Sequence, residues 1–170
     1  MSERFVVLTG GPGGGKTTLL AALAARGHPV TDEAGRALIR AGVGNDDPEA
    51  FAEAILAWER RSYAWALTQP GTVFFDRGMP DVAGSWLALR GEVPAHVEAA
   101  IAECRYRSPV LVAPPWREIY VHDDERKHSW ETAVATYEVM VEAYGRYGYH
   151  LVELPLAPVE ERVAFVLERV

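Results

Sequence analysis

Short apolar runs alternate with longer amphipathic segments along the 170-residue chain, and this alternation predicts strands and helices in turn. Four apolar runs, at residues 5–8, 72–76, 110–112 and 151–154, have the length and the Val, Phe and Leu content of strands buried on both faces. The segments between them carry apolar residues at helical spacing. The pattern therefore predicts an α/β fold in three layers: a parallel sheet of about five strands with helices on both faces.

Glycine, proline and capping residues set the predicted ends of these elements. The first helix is predicted at residues 17–26, and a short second strand follows at residues 29–33. Asp47 and Pro48 are typical of a helix start, with a capping carboxylate before a proline at the first helical position, and Ser129 is a second candidate cap. The predicted helices after the first cover residues 34–41, 48–68, 80–89, 94–104, 130–147 and about 159–170.

Composition and charge narrow the classes of function. A length of 170 residues with 49% hydrophobic content suits one domain, spanning residues 1–170. The net charge of −7 argues against a nucleic-acid surface, which would need clustered lysine and arginine. A lone cysteine, Cys104, excludes an internal disulfide and favours a reducing compartment. We find neither a signal-peptide pattern nor an apolar stretch of membrane-spanning length, so we expect a cytoplasmic protein without a membrane partner. The oligomeric state is left open.

The strongest chemical motif follows the first predicted strand. It has the spacing of a phosphate loop: Gly, four residues, Gly, Lys and Thr. Glycines allow successive backbone N–H groups to face a phosphate chain, and the following helix adds the positive end of its dipole. The alternative is a flexible glycine-rich turn, which has no need of the Lys-Thr pair. We expect ATP at Gly10, Gly11, Pro12, Gly13, Gly14, Gly15, Lys16, Thr17 and Thr18, with Lys16 on the β- and γ-phosphates and Thr17 on Mg²⁺.

Asp76 and Arg77 lie at the C-terminal end of the strand predicted at residues 72–76. Because ligands of parallel sheets bind at the carboxyl ends of strands, Thr9, Glu33 and Ala113 should meet these two residues at one edge. An acid in the place of Asp76 is the usual second support of Mg²⁺, whereas its structural alternative is the cap of a turn. Arg77 could clamp a phosphoryl group or the acceptor, which makes it a candidate substrate ligand, or it could form a salt bridge with Asp32 or Glu33.

A third constellation is Asp32, Glu33 and Arg36, at the predicted end of the second strand. Glu33 and Arg36 lie three residues apart, so a helix starting here would turn both to one side. A carboxylate opposite the γ-phosphate can take the proton of an acceptor hydroxyl, which makes Glu33 a candidate base and all three residues candidate substrate ligands. The alternative is an exposed ion pair at a helix start.

Basic residues near position 120 suggest a lid. Arg117, Arg126 and Lys127 could close over the phosphates and exclude water, with the lid spanning about residues 116–128. The alternative is a solvated charged turn.

These motifs together resemble a known family. The phosphate loop, Asp-Glu-Ala-Gly-Arg at residues 32–36, Phe-Phe-Asp-Arg-Gly at residues 74–78 and Pro-Pro-Trp-Arg-Glu-Ile-Tyr at residues 114–120 resemble small bacterial AAA-family P-loop ATPases. That family is similar to nucleoside and nucleotide kinases and to the ribosylnicotinamide kinase domain. The resemblance implies a P-loop NTPase fold with kinase-like strand order and the phosphate-loop strand central. It also implies an acid after the second strand and an acid–arginine pair after the third, the places of Glu33 and Asp76–Arg77.

Two absences favour a kinase among P-loop proteins. Arg77 stands where hydrolytic motor ATPases commonly carry a water-orienting glutamate, and the Asn-Lys-x-Asp reader of guanine switches is missing. The main hypothesis is a kinase that transfers the ATP γ-phosphate to a nucleoside-like or other small-molecule acceptor, with Lys16, Glu33, Asp76 and Arg77 catalytic. The alternatives are a slowly hydrolysing regulatory ATPase module that acts on a protein partner and, less favoured, a nucleoside triphosphatase.

Overall fold

The computed structural model describes residues 3–120 and 129–170, and four parallel strands form its sheet. Spatially the strands follow the order β2-β1-β3-β4, so that β1, which leads into the phosphate loop, lies inside the sheet. The register aligns Leu8 of β1 with Asp76 of β2 on one side and with Leu111 of β3 on the other. The strands are β1 (Phe5–Gly10), β2 (Val73–Asp76), β3 (Val110–Ala113) and β4 (Leu151–Glu153).

The predicted second strand is reduced to a single bridge between Val30 and Phe74, so the sheet has four full strands instead of five. The segment lies beside β2, because Phe74 N donates to Pro29 O and Thr31 N donates to Phe74 O, both at 2.9 Å. Further on, Asp76 N donates to the Thr31 side chain instead of to backbone. The chain then turns at Glu33 into a helix, and so the ladder ends there. Counted with this bridge, β1 is central, as the kinase-like order requires.

Seven α-helices and one 3₁₀ turn complete the described chain, and both predicted caps are present. The Asp47 carboxylate accepts from the N–H groups of Glu49 and Ala50, and Ser129 accepts from Thr132 N. No helix in the described ranges is both long enough and apolar enough to cross a membrane. The helices are α1 (Lys16–Ala24), α2 (Ala34–Arg40), α3 (Pro48–Thr68), α4 (Met79–Arg90), α5 (Ala95–Glu103), α6 (Trp130–Arg146) and α7 (Val159–Leu167), with the 3₁₀ turn at Arg117–Ile119.

Side chains alternate along β1 between two hydrophobic cores. Phe5 and Val7 belong to the core that α3, α4, α5 and α6 cover, whereas Val6 and Leu8 belong to the core beneath α1 and α7. All six residues of β1 are buried, as expected for a strand covered on both faces. This three-layer arrangement confirms the predicted α/β fold and brings the carboxyl ends of β1, β2 and β3 to one edge.

Candidate functional site

The phosphate loop is packed so closely that its glycines are required. Gly10 has a φ of 123°, and a methyl group there would overlap the carbonyl oxygen of Ala113 in β3. Gly15 has a φ of 73°, caps α1 without a side chain and leaves room for the guanidinium of Arg162 from α7. Arg162 is itself buried and donates to Gly14 O at 2.9 Å. The loop is therefore fixed in shape before any ligand enters, with the N-terminus of α1 directly behind it.

Lys16 lies buried at the start of α1. Its ammonium group donates to Gly10 O at 2.9 Å and to Gly11 O at 2.8 Å. Burial, and then the positive charge of Arg77, lowers the pKa of Lys16 to about 7, against the opposing effect of nearby carboxylates. Phosphate oxygens would favour the charged form, because an anion next to an ammonium group raises its pKa.

Thr17 and Asp76 line one cavity and fit the chemistry of a magnesium site. Asp76 is buried, and its Oδ1 atom has no hydrogen-bond partner among the described residues. Burial raises the pKa of Asp76, while Lys16 and Arg77 oppose this change. Mg²⁺ in nucleotide sites takes one or two protein oxygens and completes its shell with phosphates and water. No cluster of three or more His, Cys, Asp or Glu side chains that could hold a metal occurs in the described ranges.

Arg77 is oriented by two acids and by a strained backbone. Its φ of 75° is rare for a residue other than glycine, and such strain persists only where the surroundings impose it. The guanidinium lies 3.0 Å from Asp81 and 3.8 Å from Glu33. Burial alone would lower the pKa of Arg77, but Asp81, Glu33 and Asp76 raise it above its usual range. Arg77 is a permanently charged group directed at the cavity.

Asp81, on the first turn of α4, was not predicted, and it organises this part of the site. Its carboxylate accepts from Thr9 Oγ1 and Tyr144 Oη, both at 2.6 Å, from Gly78 N at 2.9 Å and from Arg77 at 3.0 Å. These donors come from β1, α6, the turn after β2 and the Arg77 side chain. Its signal was its place in the first turn of the helix that follows β2, where an acidic side chain can accept from the backbone N–H of the capping residue, here Gly78.

Glu33 caps α2 and also faces the cavity. It accepts from Gly35 N at 3.1 Å and Arg36 N at 3.2 Å, and it lies 3.6 Å from the Arg36 side chain. With Arg77 at 3.8 Å, both of the ion pairs considered for Glu33 are present. The same carboxylate lines the cavity next to the phosphate loop, so these contacts hold it in place without removing it from a ligand.

A cavity of about 430 Å³ extends from the phosphate loop to the inner faces of α3, α4 and α6. Its polar wall near the loop includes Glu33, Arg36, Asp76, Arg77 and Asp81. The apolar side chains that line the cavity include Ile39, Phe51, Ile55 and Met140. Glu59 is an acid that also lines the cavity and was not predicted. The sequence pattern could have revealed Glu59, because helical spacing puts it on the same face of α3 as the apolar residues Ala52 and Leu56.

Some predicted site residues lie elsewhere. Asp32 is exposed and lines a separate cavity of about 270 Å³ with Trp58 and Trp65. Arg117 is exposed and lies over the Trp130 ring at 5.2 Å. Arg126 and Lys127 fall outside the described residues, so only residues 116–120 of the predicted lid can be placed. In that part, the Tyr120 ring lies against Gly13 of the phosphate loop.

Comparison with known proteins identifies the family. The profile of the AAA domain family matches residues 5–162, which is nearly the whole chain. The chain belongs to this AAA domain family. The match spans the phosphate loop, Asp76–Arg77, Asp81 and Arg162, so the parts of the site described above all lie inside the AAA domain. No curated protein gives a significant match to the sequence.

Solved structures similar to this AAA domain include complexes of NadR and of a deoxyadenosine kinase. NadR in complex with NR superposes with a TM-score of 0.77 at 21% identity, over 98% of this chain and 51% of NadR. Deoxyadenosine kinase from M. mycoides, with the products dCMP and dCDP, gives a TM-score of 0.67 at 11% identity, over 97% of both chains. NadR with NAD and AMP-PNP gives 0.69 at 19% identity, over 98% of this chain and 49% of NadR. The chain thus spans about half the length of NadR, and the fold is that of P-loop kinases.

Proposed function

We propose that this protein is a kinase that transfers the γ-phosphate of ATP to a hydroxyl group of a nucleoside-like small molecule. The observation that carries the proposal is that the cavity of about 430 Å³ continues from the phosphate loop to side chains of α3, α4 and α6. A hydrolase needs room beyond the phosphates only for water, whereas a cavity of this size and lining is in the range of small-molecule sites. A regulatory module that only binds ATP would have no use for the part that extends past the loop.

The nucleotide side of the mechanism uses the phosphate loop. Backbone N–H groups of residues 13–18 and the N-terminus of α1 would hold the phosphates, and Lys16 would leave the Gly10 and Gly11 carbonyls for the β- and γ-phosphates. Thr17 and Asp76 would hold Mg²⁺, and the orphaned Oδ1 of Asp76 is the oxygen free to do so. When bound, the ion neutralises charge on the phosphates.

The acceptor side uses Glu33 and Arg77. Glu33 would accept the proton of the acceptor hydroxyl as that oxygen attacks the γ-phosphorus, and ADP would leave on the opposite side. Arg77 would stabilise the charge on the transferred phosphoryl group, since a guanidinium matches phosphate oxygens in a two-pronged geometry. The pairs of Arg77 with Glu33 and Asp81 keep both groups in position before the substrates arrive.

The nucleoside-like acceptor is supported by the structures that share the fold. Deoxyadenosine kinase binds dCMP and dCDP, and NadR binds NR. Because identity to both is below 25%, these ligands guide the choice of acceptors to test and do not define the substrate of this protein.

Mass spectrometry of a metabolite extract tests the proposal. Wild-type protein incubated with the extract, magnesium and ATP should produce a phosphorylated metabolite, and Lys16→Ala should not, because the β- and γ-phosphates lose their cationic ligand. Thermal melting of both proteins controls for folding. ATP consumption that yields only inorganic phosphate would contradict the proposal, and so would unchanged product formation by a folded Lys16→Ala variant.

A further inference from the structure

Glu59 is a buried acid on the inner face of α3. The buried residues of this helix are Ala52, Leu56, Glu59 and Ala66, so an acid occupies a position where helical spacing calls for an apolar side chain. Glu59 is 2% exposed. Fully buried glutamates are rare unless a partner compensates for the lost hydration.

The Glu59 carboxyl has no such partner within residues 3–120 and 129–170. It makes neither a hydrogen bond nor an ion pair with any described residue, and its oxygen atoms are not among those sealed from solvent. What they reach is the cavity of about 430 Å³, which Glu59 lines. A buried polar group directed into a ligand cavity, and left without a protein partner, is placed to meet a ligand.

The surroundings of Glu59 favour its neutral form. Burial raises the pKa of Glu59 well above its usual range, and the negative charges of Asp81, Glu33 and Asp76 raise it further, with Arg77 opposing them. A bound nucleotide triphosphate would bring more negative charge to the same cavity. These surroundings favour the carboxylic acid form, which carries one O–H donor and one carbonyl acceptor side by side.

The apolar wall beside Glu59 defines what such an acid can meet. Phe51 and Ile55 precede Glu59 by eight and four residues on α3 and so share its face of the helix. Both line the cavity, as does Met140 of α6, and these side chains provide surfaces against which a flat ring can pack. A carboxylic acid forms two parallel hydrogen bonds with a group that presents a donor and an acceptor next to each other. Amide, lactam and amidine edges of nitrogen heterocycles have this arrangement.

We propose that Glu59 is the specificity-determining residue of the acceptor site and pairs with the amide-like or amidine edge of a nitrogen heterocycle. The ring would lie among Phe51, Ile55 and Met140, with the acceptor hydroxyl directed at Glu33 and Arg77. This inference rests on the proposed function in taking the cavity as an acceptor site. It adds the chemical class of the acceptor: a nucleoside-like compound whose base carries a paired donor and acceptor.

Calorimetric binding tests the role of Glu59 separately from phosphate transfer. The probes are cytidine, adenosine, uridine, inosine and nicotinamide riboside, each added with magnesium and an imido analogue of ATP, and D-ribose is the probe without a base. At least one of the five base-bearing probes should bind wild-type protein more tightly than D-ribose does. Binding measured in this way does not depend on transfer, so a protein that binds the probe without phosphorylating it would refute the kinase alone.

Two substitutions of Glu59 distinguish pairing from packing. Glu59→Leu removes both hydrogen bonds to the probe and should lower the affinity for the probe by about 10- to 100-fold. Glu59→Gln keeps a neighbouring donor and acceptor and should hold the affinity within about threefold of wild type. Glu53→Gln, an exposed acid on the same helix, is the matched control and should bind as wild type does. Glu59→Met serves if Glu59→Leu fails to fold.

Several results would overturn the inference. One is a wild-type protein that binds none of the base-bearing probes better than D-ribose. Another is a Glu59→Leu or Glu59→Met protein that binds as tightly as wild type, which would make Glu59 a packing residue. A third is a loss in Glu59→Gln as large as that in Glu59→Leu, because it would show that the ligand needs a negative charge and not a neutral acid.

Discussion

The phosphate loop and the acceptor side of the cavity meet at Lys16 and Arg77 but are built in different ways. The loop is a continuous run from Gly10 to Thr18 that acts mainly through backbone groups, and its shape is set by close packing against β3 and α7. The acceptor side consists of single side chains from the start of α2 and from α3, α4 and α6. Any nucleotide can use the first kind of site, whereas the second can be changed one side chain at a time. Selectivity should therefore reside on the acceptor side.

The largest effect that separates the two sides is expected from Glu33→Gln. The substitution leaves an oxygen to cap α2, so the fold should persist, but it removes the base. Phosphate transfer should fall by about 100- to 10,000-fold, while ATP affinity measured by calorimetry stays close to wild type.

Asp76→Asn should behave differently from Glu33→Gln. It should weaken Mg²⁺ retention and lower both transfer and background hydrolysis, because the ion serves both. If Glu33→Gln spares turnover and instead lowers the free energy of unfolding by more than about 1 kcal/mol, Glu33 is a structural partner of Arg36 and Arg77.

A second effect should appear in stability when Asp81 is changed. Asp81→Asn replaces a carboxylate that four donors share, so Arg77 loses a buried partner and an amide N–H group faces a donor. We expect the free energy of unfolding to drop by about 3 kcal/mol in urea denaturation. Asp47→Asn, which caps α3 at the surface, should change it by only a few tenths, because asparagine caps as well as aspartate. Equal stability of the two variants would mean that Asp81 does not organise the site.

A smaller effect is expected in the pH dependence of stability, through Glu59. Because the pKa of Glu59 is raised in the folded protein, the folded chain holds a proton that the unfolded chain releases above about pH 4.5. Wild-type stability should therefore fall relative to that of Glu59→Gln as pH rises from about 5 to 7.5, by at most about 1.4 kcal/mol per pH unit. Urea unfolding of both proteins across this range measures the difference. A constant difference would show that Glu59 is ionised in the folded state.

Much of the fold could be predicted because its signals are local. Buried strands, the caps Asp47 and Ser129 and the phosphate loop each depend on a few consecutive residues. The prediction of a full second strand at residues 29–33 was wrong. The Thr31 side chain accepts the hydrogen bond from Asp76 N that a backbone carbonyl would accept in a continuous strand pair. That competition depends on where β2 lies, which no local pattern shows.

The acceptor side could be predicted only in part, for the same reason. Glu33 and Arg77 stood out because they end predicted strand segments. Asp81 acquires its role from Thr9 and Tyr144, which are distant in sequence, and Glu59 acquires its role from a cavity lined by several elements that are far apart in sequence. Conversely, Asp32 matched the sequence pattern but lies in a different cavity, since it precedes the turn that directs Glu33 inward.

Phosphorus NMR of the reaction tests most directly whether the phosphate reaches an acceptor. Wild-type protein with magnesium and ATP would be followed with and without the base-bearing nucleoside that binds most tightly. We predict that ATP is consumed only when the nucleoside is present and that one phosphate monoester appears for each ADP. Equal consumption without nucleoside, with the γ-phosphate appearing only as inorganic phosphate, would contradict a kinase and leave a nucleotide hydrolase in its place.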